Sequence, residues 1–153
     1  MGMEEVKKVL ERGEENAEAV GSLPAKFFER LVMKGLRVDL IETGRIVCSF
    51  TVPSRLLNEG NFLHGGATAT LVDLVGSAVI YTVGAPVTTG VSVEINVSYL
   101  DAAYAGEEIE VEAKALRVGK AIGVVSVELR KKKTGKIVAQ GRHTKYLAVS
   151  SKM

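Results

Sequence analysis

The 153-residue sequence contains no tryptophan, three prolines, two histidines and one cysteine, Cys48. A single cysteine excludes a disulfide within the chain, and so few thiol and imidazole groups make a poor ligand set for zinc. Glutamates are frequent between Glu4 and Glu18, which argues against a secretory signal peptide or an organellar transit peptide. We therefore expect a reducing, intracellular compartment.

Motifs of several well-known chemistries are also missing. No serine lies in a GxSxG turn, no cysteine and histidine have a recognisable catalytic spacing, and no GxxxxGK[ST] phosphate loop is present. These absences point away from covalent catalysis by serine or cysteine. We expect neither a metal centre nor a bound cofactor.

Charge of neither sign dominates, because 20 basic and 18 acidic residues leave a formal net charge of +2. The distribution is uneven, since residues 114–145 hold ten Lys and Arg against one acid, Glu128. A solvated strand face explains such a strip, and nucleic-acid binding is an alternative. Because aromatic residues do not interleave with the cations, we expect no nucleic-acid partner.

Hydrophobic residues make up 46% of the chain and charged residues 25%, which rules out a disordered or collagen-like protein. The length suits one domain with a sizeable core. We assign an amino-terminal helical segment to residues 1–35, the domain itself to residues 36–149 and a short tail to residues 150–153.

Apolar residues at helical spacing predict an amphipathic helix over residues 3–20 and a second helix from Pro24 to a stop at Gly35. A third helix is predicted over residues 66–83, where Asp73 interrupts an apolar run that leaves no polar face. A helix that is apolar all round is either buried or membrane-spanning. This one is short for a bilayer and rich in small residues, so we expect a buried helix and no membrane association.

Alternating apolar and polar residues predict strands on both sides of the apolar helix. Two strands form a hairpin around Thr43-Gly44, and four follow the helix, with turns at Gly119-Lys120 and Thr134-Gly135 and a last strand over Ile137–Val149. Each strand has one apolar face, which suits an antiparallel sheet that is buried on one side. The predicted fold class is α+β, with an antiparallel sheet wrapped around one long helix.

The segment from Asn58 to Asp73 carries most of the candidate chemistry. Gly65 and Gly66 open the apolar helix, so their unpaired N–H groups and the positive end of the helix dipole can polarise a carbonyl. Asp73 lies among apolar residues, where a carboxylate is costly unless it is paired or functional. Together these groups favour general-base activation of water on a polarised carbonyl. The alternative is a solvated Asp73, with His64 acting only as a helix cap.

The spacing of these groups predicts a dimer. Gly65 and Asp73 are eight residues apart, which is about 12 Å along a helix that rises ~1.5 Å per residue. A water on the carboxylate and a carbonyl at Gly65 must approach to about 3–3.5 Å for attack. We therefore expect the two halves of one site to come from two chains related by a two-fold axis.

Four segments carry a resemblance to a known family: LHGGATATLVD, GVSVEINVSYL, the Gly-Lys hairpin and TGKIVAQGRHTKYL. In this order and at these spacings they resemble the hotdog-fold acyl-CoA thioesterases, in the branch of the phenylacetate-pathway thioesterase and thioesterase superfamily member 2. The resemblance extends over residues 30–149. It implies a curved sheet around one helix, hydrolysis of acyl-CoA to free acid and coenzyme A, homodimers that share active sites, and usually a homotetramer.

The resemblance also implies roles for five residues of the site. The thioester carbonyl accepts a hydrogen bond from the N–H of Gly65. The carboxylate of Asp73 and the hydroxyl of Ser92 hold the attacking water. Asn58 helps to hold the carbonyl or the water, and His64 steadies the site. Asn61 stands where family members often have glycine. Because asparagine tolerates positive φ, we expect the turn to survive.

Substrate-binding positions follow from the same resemblance. They are Gly66, Gly90 and Tyr99 around the acyl thioester, and Arg117, Lys120 and Lys145 as cations for the phosphates of coenzyme A. Two other functions stay open, namely a hotdog dehydratase or hydratase of acyl thioesters and a non-enzymatic acyl-binding protein. The last three residues, Ser-Lys-Met, resemble the peroxisomal Ser-Lys-Leu signal, so both cytosol and peroxisome are expected locations.

Overall fold

The computed structural model describes residues 1–84 and 90–147, and the chain forms two compact units, Met1–Leu31 and the part from Val32 onward. The first unit contains helices α1 (Met3–Leu10) and α2 (Ala17–Gly21), with a 3-10 turn at Arg12–Glu14 between them. The predicted single helix over residues 3–20 is therefore wrong. Asn16 adopts a left-handed conformation with φ +57°, which a right-handed helix cannot contain, and Gly13 weakens the helix just before it.

Helix α3 (Phe27–Met33) follows a left-handed residue, Lys26, whose φ is +62°. Gly35, with φ +91°, ends the helical segment and leads into the sheet. This conformation suits glycine because it lacks a Cβ, so the predicted stop at Gly35 is confirmed.

Six strands form one antiparallel sheet: β1 (Arg37–Glu42), β2 (Arg45–Thr51), β3 (Val91–Tyr99), β4 (Glu108–Val118), β5 (Ile122–Lys131) and β6 (Ile137–Tyr146). Their order across the sheet is β1-β2-β4-β5-β6-β3, and every neighbouring pair is antiparallel. The predicted α+β hotdog architecture is confirmed. The predicted end of the last strand at Val149 lies outside the described residues.

Helix α4 (Gly65–Tyr81) packs across the middle of the sheet, as its apolar sequence predicts. The core is made by its buried residues and by the inward side chains of the central strands: Leu71, Val72, Val75, Val79, Ile109, Val111, Val125, Val127 and Leu129. A Cβ at Gly76 would lie 2.9 Å from Cγ2 of Val125, so only glycine allows the helix to approach β5 this closely. Among the described residues, no helix is both long and apolar enough to cross a bilayer.

Strand β3 departs from the expected burial of one face per strand. Val91 and Val93 are each 61% exposed, whereas Val125 and Val127 of β5 are buried. The cause is position, because β3 is an edge strand whose only partner in the described part of the chain is β6. Its other edge presents backbone N–H and C=O groups that lack a partner strand there.

Candidate active site

His64 caps the first turn of α4. Its Nδ1 accepts the N–H of Gly66 at 2.8 Å, while its carbonyl accepts the N–H groups of Ala67 and Thr68. Within the described residues the N–H of Gly65 has no acceptor, so one donor at the positive end of the helix is free for a ligand. His64 is itself exposed, and a Cβ at Gly66 would lie 3.0 Å from its Nδ1.

A cavity of about 260 Å³ opens beside Gly65, and its walls are mostly apolar. Its lining comprises Asn58, Phe62, Leu63, Gly65, Thr68, Tyr99, Asp101, Ala103 and Val138. We call Asn58, Gly65 and Tyr99, which all line this cavity, the cavity cluster. Such a pocket, apolar with a few converging polar groups, is typical of a small-molecule site.

The Asn58 side chain is fixed by the turn that follows it. Its Oδ1 accepts the N–H of Gly60 at 2.9 Å and that of Phe62 at 3.2 Å, which leaves the Nδ2 amide as a donor. Asn61 adopts φ +63°, so the turn does survive with asparagine in the place of glycine. The expectation for this departure from the family pattern is therefore confirmed.

Tyr99 closes the cavity cluster from the end of β3. Its hydroxyl donates to the carbonyl oxygen of Gly65 at 2.8 Å, and its ring lies against the same glycine. A Cβ at Gly65 would be 3.3 Å from Cε1 of Tyr99. The ring thus holds the first turn of α4 in place and restricts position 65 to a small residue.

Asp73 lies two turns further along α4, in different surroundings from those expected. Its side chain is 42% exposed, so it is not enclosed by the apolar residues that flank it in sequence. Ser77 donates to its Oδ1 at 3.4 Å, and Nδ1 of His143 lies 3.7 Å from the same oxygen. The carboxylate is therefore partly solvated and partly held by polar neighbours, which combines the two alternatives that the sequence leaves open.

His143 is the residue that the sequence analysis missed. It is completely buried on β6, and its Nε2 lies 2.7 Å from Oγ of Ser92 on β3. Burial lowers the pKa of His143 below its usual range, which makes the imidazole neutral near pH 7. The sequence does contain a signal for His143, because it is an ionisable residue at a core-facing position of a strand with alternating residues.

The imidazole orientation follows from its two neighbours. Nδ1 of His143 has no hydrogen-bond partner among the described residues, and the nearest negative charge is Asp73. A proton on Nδ1 faces this carboxylate favourably, whereas a lone pair there would be repelled by it. With the proton on Nδ1, Nε2 accepts the hydroxyl proton of Ser92 and leaves the lone pairs of Ser92 free to accept from a water.

Lys145 also turns toward this part of the helix. It is 9% exposed, and its Nζ donates to Oγ of Ser77 at 3.1 Å. The ammonium thus points into the protein, which does not suit the phosphate contact predicted for it. We call Asp73, Ser77, Ser92, His143 and Lys145 the carboxylate cluster.

The remaining predicted substrate positions lie outside both clusters. Arg117 and Lys120 are exposed, at the end of β4 and in the hairpin that follows it. Gly90 packs tightly, since a Cβ there would lie 2.9 Å from the carbonyl oxygen of Tyr146 and 3.3 Å from Cε of Lys145. Close packing therefore explains why position 90 is a glycine, and the contact of Gly90 with substrate stays a prediction.

Five of the ten cations in the basic strip form ion pairs in the described part of the chain, and all but one of their acidic partners lie outside the strip. Arg130 contacts Glu110, Glu112 and Glu128, and other cations of the strip contact carboxylates of Asp101, Glu107 and Glu108. This pattern is that of a solvated strand face with cross-strand ion pairs. In the two described ranges, no three His, Cys, Asp or Glu side chains cluster as a metal site would require.

Comparisons with known proteins agree with this geometry. The family model described as "Thioesterase superfamily" matches residues 60–138. The chain is 42% identical to the acyl-coenzyme A thioesterase 13 of Homo sapiens over 125 residues, which cover 80% of this chain and 86% of that protein.

Two solved structures show the same likeness. The zebrafish thioesterase superfamily member 2 has a TM-score of 0.74 at 36% identity, and the match covers 96% of this chain and 99% of that one. The mouse thioesterase superfamily member 2 also has a TM-score of 0.74, at 37% identity, over 80% of this chain and 89% of that one.

Proposed function

The chain belongs to the thioesterase superfamily, and from that premise we propose that it hydrolyses acyl-CoA thioesters to a free acid and coenzyme A. The observation that carries the proposal is the free N–H of Gly65, which faces a mostly apolar cavity at the start of a helix that also bears Asp73. The relatives named acyl-coenzyme A thioesterase 13 support the substrate class.

The cavity cluster binds and polarises the thioester carbonyl. The carbonyl oxygen accepts from the N–H of Gly65 and from Nδ2 of Asn58, at the positive end of the α4 dipole. Negative charge develops on this oxygen as water adds, and donors that are already oriented stabilise it without reorganising. The acyl group lies in the adjoining apolar cavity.

The carboxylate cluster activates the water. Asp73 takes a proton from the water as its oxygen bonds to the carbonyl carbon, and the Ser92 hydroxyl, aligned by His143, orients the same water. When the tetrahedral intermediate collapses, the carbon–sulfur bond breaks and the coenzyme A thiolate leaves. The proton held by Asp73 returns to this sulfur, so the carboxylate is regenerated.

We also propose that each site is shared between two chains. Gly65 and Asp73 lie eight residues apart on one rigid helix, or about 12 Å, which is too far for one chain to hold both reactants. Strand β3 carries Ser92 and has exposed apolar residues and an unpaired edge, which are features of a surface that a second copy covers. The dimer is proposed to pair further into a tetramer.

Coenzyme A is proposed to contact Arg117 and Lys120. Both are exposed, and neither forms an ion pair with another residue that the structure describes. A flexible cation pair of this kind suits phosphate groups. We propose a cytosolic or peroxisomal location; fluorescent fusions with and without the last three residues, which lie outside the described range, distinguish the two.

The activity is tested with the full chain and a panel of acyl-CoA substrates of different length and aromatic content, with thiol release detected colorimetrically. We expect thiol release with at least one member of the panel, at a rate that Gly65→Val abolishes. A change in enoyl-CoA absorbance without thiol release would instead indicate a hydratase. Binding of acyl-CoA with no turnover of any substrate in the panel would indicate a non-enzymatic acyl-binding protein.

Subunit complementation tests the shared site. Gly65→Val chains and Asp73→Asn chains are each expected to be inactive, and mixing them under conditions that exchange subunits creates heterodimers with one intact site. These should recover up to half of the wild-type activity per dimer. Heterodimers that verifiably form but remain inactive would place the whole site in one chain. Light scattering measures whether the assembly is a dimer or a tetramer.

A further inference from the structure

Lys145 is a buried cation that the mechanism above does not use. The only hydrogen bond of its side chain among the described residues joins Nζ to Oγ of Ser77, and no carboxylate there forms an ion pair with it. A buried ammonium loses hydration, so its retention in a core-facing position needs a compensating interaction. The nearest carboxylate along this contact is that of Asp73.

Two glycines beside Lys145 leave space for its side chain. Its strand partner on β5 is Gly123, and a Cβ at Gly90 would lie 3.3 Å from its Cε. A side chain at position 90 would therefore press on the lysine stem as well as on the carbonyl of Tyr146. This arrangement directs the stem inward beneath α4 instead of outward to solvent.

The hydrogen bonds from Lys145 to Asp73 have a defined direction. An ammonium only donates, so Oγ of Ser77 accepts from Nζ of Lys145 at 3.1 Å. The Ser77 proton is then free to point to Oδ1 of Asp73, 3.4 Å away. One hydroxyl thus separates the buried positive charge from the carboxylate.

We propose, on the premise of the thioesterase activity above, that Lys145 is a positioning residue for Asp73. Acting through Ser77, its ammonium fixes the hydroxyl whose proton orients the carboxylate toward the water. Among residues 1–84 and 90–147, the other ionisable side chain in contact with Asp73 is His143 on β6, which burial keeps neutral, and Lys145 also lowers the pKa of this histidine. Ser92, on β3, carries no charge.

The main test removes the charge and keeps the length of the side chain. In Lys145→Met the Ser77 hydroxyl loses its donor and no longer fixes the carboxylate, so kcat should fall about tenfold, as for the loss of one hydrogen bond, while KM for acyl-CoA stays unchanged. Losing the same ammonium makes His143 easier to protonate, so the acidic limb of the kcat/KM profile should also move to higher pH. Lys132→Met is the matched control, because Lys132 is exposed and paired with Glu108 far from this cluster.

Ser77→Ala tests the intervening hydroxyl and needs no change at the buried lysine. It should lower kcat with an unchanged KM, as Lys145→Met does, but leave the acidic limb in place because the ammonium beside His143 remains. If Lys145→Met fails to fold, this variant carries the kinetic test. A merely structural lysine would lower stability without this fall in kcat at unchanged KM, and an unchanged kcat in folded variants overturns the proposal.

A second readout does not depend on turnover. Crystal structures should show the Ser77 hydroxyl and the Asp73 carboxylate displaced in Lys145→Met but not in Lys132→Met, relative to the wild type. If the wild type releases no thiol from any acyl-CoA, the proposed activity fails while these structures still decide the role of Lys145. An Asp73 carboxylate in the same position in all three proteins rejects that role even in an active enzyme.

Discussion

The two clusters on α4 hold their groups by different physical means. The cavity cluster relies on a backbone N–H, an amide and a phenol, which act through hydrogen bonds. The carboxylate cluster combines a partly solvated Asp73, a buried neutral His143 and a buried Lys145. The geometry of a helix terminus positions the groups of the cavity cluster, whereas the balance of charges positions those of the carboxylate cluster.

This difference determines how each cluster fails. A substitution at the cavity cluster acts through shape, because the carbonyl must come within hydrogen-bond distance of one N–H. A substitution at the carboxylate cluster acts through protonation and alignment, so its effect varies with pH. The predictions below test this contrast, from the largest expected effect to the smallest.

Gly65→Val should cause the largest loss, about 10³-fold or more in kcat/KM, at or above the upper end of the range for removing one oxyanion donor. The valine side chain would meet the Tyr99 ring and cover the free N–H. Circular dichroism should show a folded protein. Gly21→Val is the control, since a Cβ at Gly21 meets nothing within 4 Å. Retained turnover in a folded Gly65→Val would remove the carbonyl-binding role of the helix terminus.

Asp73→Asn should lower kcat by roughly 10²-fold or more, as expected for loss of a general base. The amide keeps the size of the carboxylate and can still accept from Ser77, so the free energy of unfolding should change little. Asp39→Asn, at an exposed position of β1, is the control for the charge change. A near wild-type kcat in Asp73→Asn would assign the water activation to another group.

Ser92→Ala should lower kcat by about tenfold, which corresponds to one hydrogen bond of about 1.4 kcal/mol to the attacking water. The contact of Ser92 with His143 also has the geometry of an activated nucleophile. Intact-mass measurement of quenched reactions distinguishes the two roles. Water attack predicts no acyl adduct on the protein, whereas an adduct at Ser92, with complete loss of activity in Ser92→Ala, would indicate covalent catalysis.

The pH dependence of stability should show the smallest effect. The pKa of His143 is lower in the folded protein than in the unfolded chain, so below about pH 6.5 the unfolded chain binds more protons. Stability must then fall as the pH drops, with a slope from this residue of at most about 1.4 kcal/mol per pH unit. Urea titrations at several pH values should show a shallower slope for His143→Gln. Equal slopes would mean that His143 does not titrate on unfolding.

Local patterns were sufficient for much of the fold. Alternation located the strands, and the apolar run located α4 to within a few residues. The turn predicted at Gly44 is present, with φ +78° at this residue. The same patterns failed at the amino terminus, where helical periodicity did not reveal the left-handed Asn16. A short helix with no buried residues has little packing to enforce its continuity, so local backbone preferences decide where it breaks.

The sequence by itself determined which residues open α4, that Asp73 follows on the same helix, and that the two must be separated by about 12 Å, because helix geometry is local. Only the tertiary structure decided that β6 lies beside β3, which brings His143 against Ser92 from 51 residues away, and that Lys145 turns inward to Ser77. Periodicity tells which face of a strand a residue occupies and not which strand lies next to it. The strand order, set by the burial of the whole sheet against one helix, therefore assembled the carboxylate cluster.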